Sequence, residues 1–163
     1  MKKYLLVLLW ATWLLSISCK KKDCCVFPPV KDFILADKDG TEWNADPSKS
    51  NILGDTTTIT GSLTTGNLEE VLEMKLIISD VGFYPLKNNH GGYVVKKNGT
   101  IIKKYALSPT HLNTVSIIFI NGKDQIVQGF FDVKFIKTYD SQPGAKTDSV
   151  SFLDGKFKVA LHN

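Results

Sequence analysis

The 163-residue chain is 43% hydrophobic with a formal net charge of +4, a size that fits one domain with short extensions. Apolar content at that level excludes a disordered chain, and the pattern of apolar runs excludes a polytopic membrane protein. All twenty basic residues are lysine and sixteen acids offset them, which excludes a strongly basic nucleic-acid binder and argues against bidentate phosphate recognition by arginine.

Residues 1–18 (MKKYLLVLLWATWLLSIS) open the chain with Lys2 and Lys3, followed by an uncharged run from Leu5 to Leu15. That run is too short to span hydrocarbon as a helix but fits the apolar region of an export signal. Treating these residues as a removable leader lowers the net charge to +2 and leaves Trp43 as the remaining tryptophan. Ser16 and Ser18 precede Cys19, and Lys20, Lys21, Lys22 and Asp23 follow it. This arrangement resembles the lipobox of bacterial lipoproteins, in which the cysteine thiol receives a diacylglycerol and becomes the new N-terminus. Ser16 stands three residues before the cysteine, with Leu15 one residue earlier, the looser pattern common in lipoproteins of Bacteroidetes. The resemblance implies lipid attachment at Cys19 and anchoring by two or three acyl chains. The alternative is a conventional signal peptide cut after Ser18. Cys24 and Cys25 are adjacent rather than spaced C-x-x-C, so they read as an intermolecular disulfide or inert thiols, and no metal site is expected.

Residues 19–31 read as a lipidated tether, extended at Pro28-Pro29. Residues 32–163 read almost wholly as strands. Phe33–Asp37 and Thr41–Ala45 flank Asp39-Gly40, a dipeptide suited to a tight hairpin turn. Thr56–Thr64 is rich in β-branched residues, and Val71–Ser79 alternates with Leu72, Met74, Leu76 and Ile78 on one side. Tyr93–Lys97 and Ile101–Leu107 flank Asn98-Gly99, a second hairpin signal. Val115–Ile120 and Gln125–Tyr139 flank the turn residues 121–124. Val150–Phe152 then meets Asp154-Gly155, and an alternating strand through Phe157, Val159 and Leu161 ends the chain. Nine or ten short strands of this kind predict an all-β antiparallel β-sandwich, with a lipocalin-like β-barrel as the alternative. The lipocalin G-x-W is not matched, because two residues separate Gly40 from Trp43.

The run from Phe33 to Ala45 (FILADKDGTEWNA) is similar to an F-x-x-A-x-x-D-G-x-x-W-x-A hairpin that opens small Bacteroidetes lipoproteins of a domain of unknown function. Residues 82–86 (GFYPL) resemble that family's middle segment. Residues 127–135 and 151–159 resemble its closing strands, I-x-G-x-F-x-F and G-x-F-x-V. The resemblance implies a β-sandwich-like lipoprotein and carries over no catalytic residue.

Candidate chemistry in the body of the chain is sparse. Asp37, Asp39 and Glu42 suggest calcium, but Gly40 is misplaced for an EF-hand loop and a hairpin turn accounts for all of them. His90 and His111 sit in connections without a nucleophile motif such as G-x-S-x-G. Glu69-Glu70 reads as a turn or solvated edge. Trp43, Phe83, Tyr84, Tyr93 and Tyr105 line either a ligand groove or, as strand aromatics more often do, the core. The expectation is a non-enzymatic lipoprotein of the cell envelope, on the outer membrane, held by Cys19 and acting as a binding or accessory module. It takes no cofactor, no metal and no nucleic acid, and its partner is a glycan, a lipid or an envelope protein. The alternatives are a structural scaffold without a small ligand, or a hydrolase with an unrecognised site.

Overall fold

The computed structural model describes residues 31–142 and 149–162. Cys19, Cys24 and Cys25 lie outside the described residues, as do the leader and nearly all of the tether.

Eleven strands make up the described fold: β1 (Phe33–Lys38), β2 (Thr41–Ala45), β3 (Asn51–Leu53), β4 (Thr56–Thr65), β5 (Leu68–Leu76), β6 (Gly82–Pro85), β7 (Gly91–Lys97), β8 (Thr100–Leu107), β9 (Thr114–Asn121), β10 (Ile126–Asp140) and β11 (Ser149–Ala160). They form one antiparallel sheet in the order β2-β1-β11-β10-β8-β7-β5-β4-β3. β9 pairs with the first half of β10, on the edge whose second half takes β8, and β6 pairs with β9. The protein is all-β, consistent with the expected sandwich. The ladder itself is open, and two isolated bridges bring its far side round. Asp46, just beyond β2, exchanges two backbone hydrogen bonds of 2.8 and 2.9 Å with Ser62 on β4. Asn51 on β3 bridges His162, just beyond β11, where the Ile52 amide donates to the His162 carbonyl at 3.0 Å. Isolated bridges in place of a continuous ladder are where the fold stops short of a closed barrel.

The hairpin turns follow from local chemistry. Asp39 and Gly40 have φ of 50° and 83°, and Asn98 and Gly99 have 50° and 78°, the paired positive values of a type I′ turn. β1 therefore pairs back on β2 in one register, and β7 on β8 with a single shift between Val95 and Lys96, and the pairing sends alternate side chains inward.

The inward faces meet in one core. The Trp43 and Phe152 rings stand edge to face at 5.0 Å, and Tyr93 meets Phe152 at 5.2 Å although β7 and β11 share no ladder. Gly61 lets β4 approach this cluster, since a Cβ there would lie 2.9 Å from the Trp43 ring. Gly129 and Phe157 are cross-strand partners, and so are Phe131 and Gly155. Each ring lies over the glycine opposite it. A Cβ at Gly129 would be 2.8 Å from Phe157, and one at Gly155 would be 2.5 Å from Phe131.

Two expectations need correction. Asp154-Gly155 does not end a strand; β11 runs through it as a bulge, with Asp154 at φ 50° and two residues opposing one on each neighbouring strand. Glu69 and Glu70 lie within β5, not in a turn or at a solvated edge.

Candidate functional site

The outer face of β6, β9, β10 and β11 carries the most ligand-like surface. β6 is only four residues long, and Pro85, which lacks an N–H, suits its end. The Tyr84 hydroxyl donates to the Asp80 carbonyl and accepts from the Ser79 and Asp80 amides, fixing the loop that leads into β6. Those bonds to the oxygen pull the Tyr84 hydroxyl below the usual phenol range. With Tyr84 packed against the core, alternation turns Phe83 outward.

Register then sets a row. Phe83 opposes Ser116, Ser116 opposes Phe130, and Phe130 opposes Lys156. The two phenylalanines are thus two strand spacings apart, about 10 Å, with a serine between them. Phe119, opposite Gln128, stands one row over on the same face. These rings are 62% (Phe83), 44% (Phe130) and 45% (Phe119) exposed, far from the core positions of most strand aromatics here.

Beside the row runs an open groove of about 540 Å³, within the size range of small-molecule sites. Phe130, Thr114, Ser116, Asp132, Asp154 and Lys156 line it. The β11 bulge places Asp154 at this groove. Asp132 is held at one oxygen by His111 Nε2, 2.9 Å away. The result is apolar ring faces beside two carboxylates, an ammonium and two hydroxyls. Such a surface can stack on the faces of a polar ring and exchange hydrogen bonds with its substituents.

The other residues that the sequence singles out fall elsewhere. Trp43, Tyr93 and Tyr105 are buried in the core, so of the five aromatics considered Phe83 alone belongs to this surface and Tyr84 supports it. Asp37 accepts from the Gly40 amide and Asp39 from the Ser151 amide, so both serve the first hairpin. Among the described residues no group of three or more His, Cys, Asp or Glu side chains is placed to hold a metal ion. His90 is exposed in a short 3₁₀ turn, Asn88–His90, and His162 lies beside Asn51, so neither joins the His111–Asp132 pair. Sequence reasoning misses Phe119, Phe130, Ser116 and Asp154. The one signal for them is Phe130-Phe131, where adjacent rings on a strand must face opposite ways.

A second cluster lies at the opposite edge of the core, facing inward. Glu70 accepts from Trp43 Nε1 at 2.8 Å and from Lys38 Nζ at 2.5 Å, while that ammonium sits 5.3 Å from the centre of the Tyr93 ring. With both carboxylate oxygens engaged, Glu70 is a cross-strand brace and not a free base. Among the described residues no helix is long and apolar enough to cross a membrane. No family model, no curated protein and no solved structure matches the chain.

Proposed function

We propose that this chain is a lipid-anchored, non-catalytic binding module of the cell envelope, on the outer membrane, and that its outer-face groove takes a glycan. The observation that carries the binding half is the Phe83–Ser116–Phe130 row beside Asp132, Asp154 and Lys156. Sugars combine apolar ring faces with dense hydroxyls, and this surface offers rings and hydrogen-bonding groups at matching sites. The sequence supports the anchoring half, through the leader and Cys19. The kinship with small Bacteroidetes lipoproteins stands as part of the same proposal. It is supported by the work its motif positions do here: Trp43 in the core, Gly129 and Gly155 beneath phenylalanine rings.

Metabolic labelling with palmitate tests the anchor. Label on the wild type that is lost in Cys19→Ala supports it, and equal label on both, or none on the wild type, refutes it. Titration with envelope oligosaccharides tests the groove. Phe130→Ala is expected to weaken binding by roughly tenfold, as losing a well-packed aromatic contact does, and unchanged affinity would refute the site.

A further inference from the structure

The chain enters the described domain at one end of the sheet. Phe33, the first residue of β1, opposes Lys158 near the end of β11, and the same end holds Asp46, the β3–β4 turn at Gly54-Asp55, the end of β5 and the β9–β10 hairpin. On this end the fold leaves large apolar side chains in solvent, from three separate segments: β3, the connection from β5 to β6, and β9. Leu53 is 82% and Ile77 is 68% exposed, and Val81 and Ile120 stand exposed beside them. An apolar cleft of about 250 Å³ opens there too, walled by Ile52, Ile78, Ile120, Ile126 and Leu161. The hairpin tips at the other end are Asp39-Gly40, Gly66-Asn67 and Asn98-Gly99, and the apolar groups there, Leu68, Tyr139 and Leu153, are each less exposed than Leu53, Ile77 and Val81. Projecting apolar residues converging on one end of a monomeric domain mark an interaction surface.

We infer that this end rests on the bilayer that carries the anchor, with Leu53, Ile77, Val81 and Ile120 in the headgroup and upper acyl region. The inference rests on the reading of Cys19 as the lipid site. Lys31 lies twelve residues beyond Cys19, so a fully extended tether reaches at most about 40 Å and holds the entry end within that distance of the membrane. Asp55, Asp80 and Asp124 flank the apolar residues together with Lys75 and Lys123. With that balance of charge, contact is apolar in origin and insensitive to salt, unlike attraction of a basic patch to anionic lipid.

The test uses the full chain in native membranes, with Cys24 and Cys25 replaced by serine. A bimane probe is attached at Leu53→Cys, at Ile77→Cys, and at Lys97→Cys on the opposite end. The inference predicts blue-shifted emission at positions 53 and 77, and severalfold stronger quenching by doxyl-labelled lipid there than at 97, unchanged by added salt. Equal quenching at all three positions, with palmitate still incorporated at Cys19, overturns this inference alone. Shielding at 53 and 77 without lipid quenching overturns it in favour of a second copy of the chain. Absence of palmitate on the wild type overturns the anchor reading and this inference with it.

Discussion

Glu70 on β5 holds the indole of Trp43 from across the core, its Oε2 accepting from Nε1 at 2.8 Å. Its other oxygen takes the Lys38 ammonium, so β1, β2 and β5 are tied at a point where no ladder joins β5 to the first hairpin. Both charged side chains are about three-quarters shielded, so the pair is stronger than a surface ion pair but still partly screened by water. Glu70→Gln keeps an acceptor for the indole and loses the charge that balances Lys38. It is expected to destabilise the fold by about 1–2 kcal/mol in urea unfolding followed by Trp43 emission. Glu70→Leu combined with Lys38→Met should recover part of that loss, because no charge is left unpaired. A Glu70→Gln midpoint equal to the wild type would show that the contact braces nothing.

The glycines of β10 and β11 make a sharper prediction. A Cβ at Gly129 would lie 2.2 Å from the Ser116 carbonyl oxygen, which is backbone and cannot swing aside. Gly129→Ala and Gly155→Ala should each cost about 1–3 kcal/mol, lowering Tm by roughly 5–15 °C. Gly122 has open space around it and no positive φ, so Gly122→Ala should leave Tm near the wild-type value. Calorimetry of the three variants decides the matter, and equal Tm values across them would contradict the packing described.

Stability should fall on both sides of neutrality, for different groups. Hydrogen bonds from Lys49 and Lys96 hold the Glu69 carboxyl below its ordinary 4.5, and the Gln142 amide with Lys137 holds Asp140 below 3.8. A depressed carboxyl contributes stability that is complete above its unfolded value and lost as pH falls through the folded one. Burial, reinforced by nearby Glu70, pushes the Tyr93 hydroxyl far above its ordinary 10.0, and burial raises Tyr105 in the same direction. Their contribution is complete below pH 10 and lost above it. The expected profile is a plateau from about pH 5 to pH 9 with a decline on each side. Glu69→Gln should flatten the acid limb and leave the alkaline limb unchanged, as read from urea midpoints across pH.

Much of the fold is legible in the sequence because its turns declare themselves. Asp39-Gly40 and Asn98-Gly99 need positive φ at both positions, and few dipeptides accept that as readily. β3 and β6 carry too little pattern to be read. Residues 51–53 are too few to alternate, and Pro85 makes residues 82–85 look like a loop. Asp154-Gly155 carries the chemistry of a turn, and only the pairing of β11 on both edges turns it into a bulge. Glu70 misleads because a carboxylate on the inward face runs against the alternation rule until its partners, 27 and 32 residues away, are in view. The groove is illegible for a related reason. Phe83, Ser116 and Phe130 come from three strands, and only register aligns them.

The measurement that bears most directly on the proposed function is a glycan array probed with residues 31–163, which form one compact unit, beside the same unit carrying Phe83→Ala and Phe130→Ala. The wild type should bind a subset of glycans selectively, and the double variant should lose that binding while its Tm stays within a few degrees of the wild type. A blank array for the wild type, or an identical binding profile for the double variant, would contradict the glycan reading of the groove.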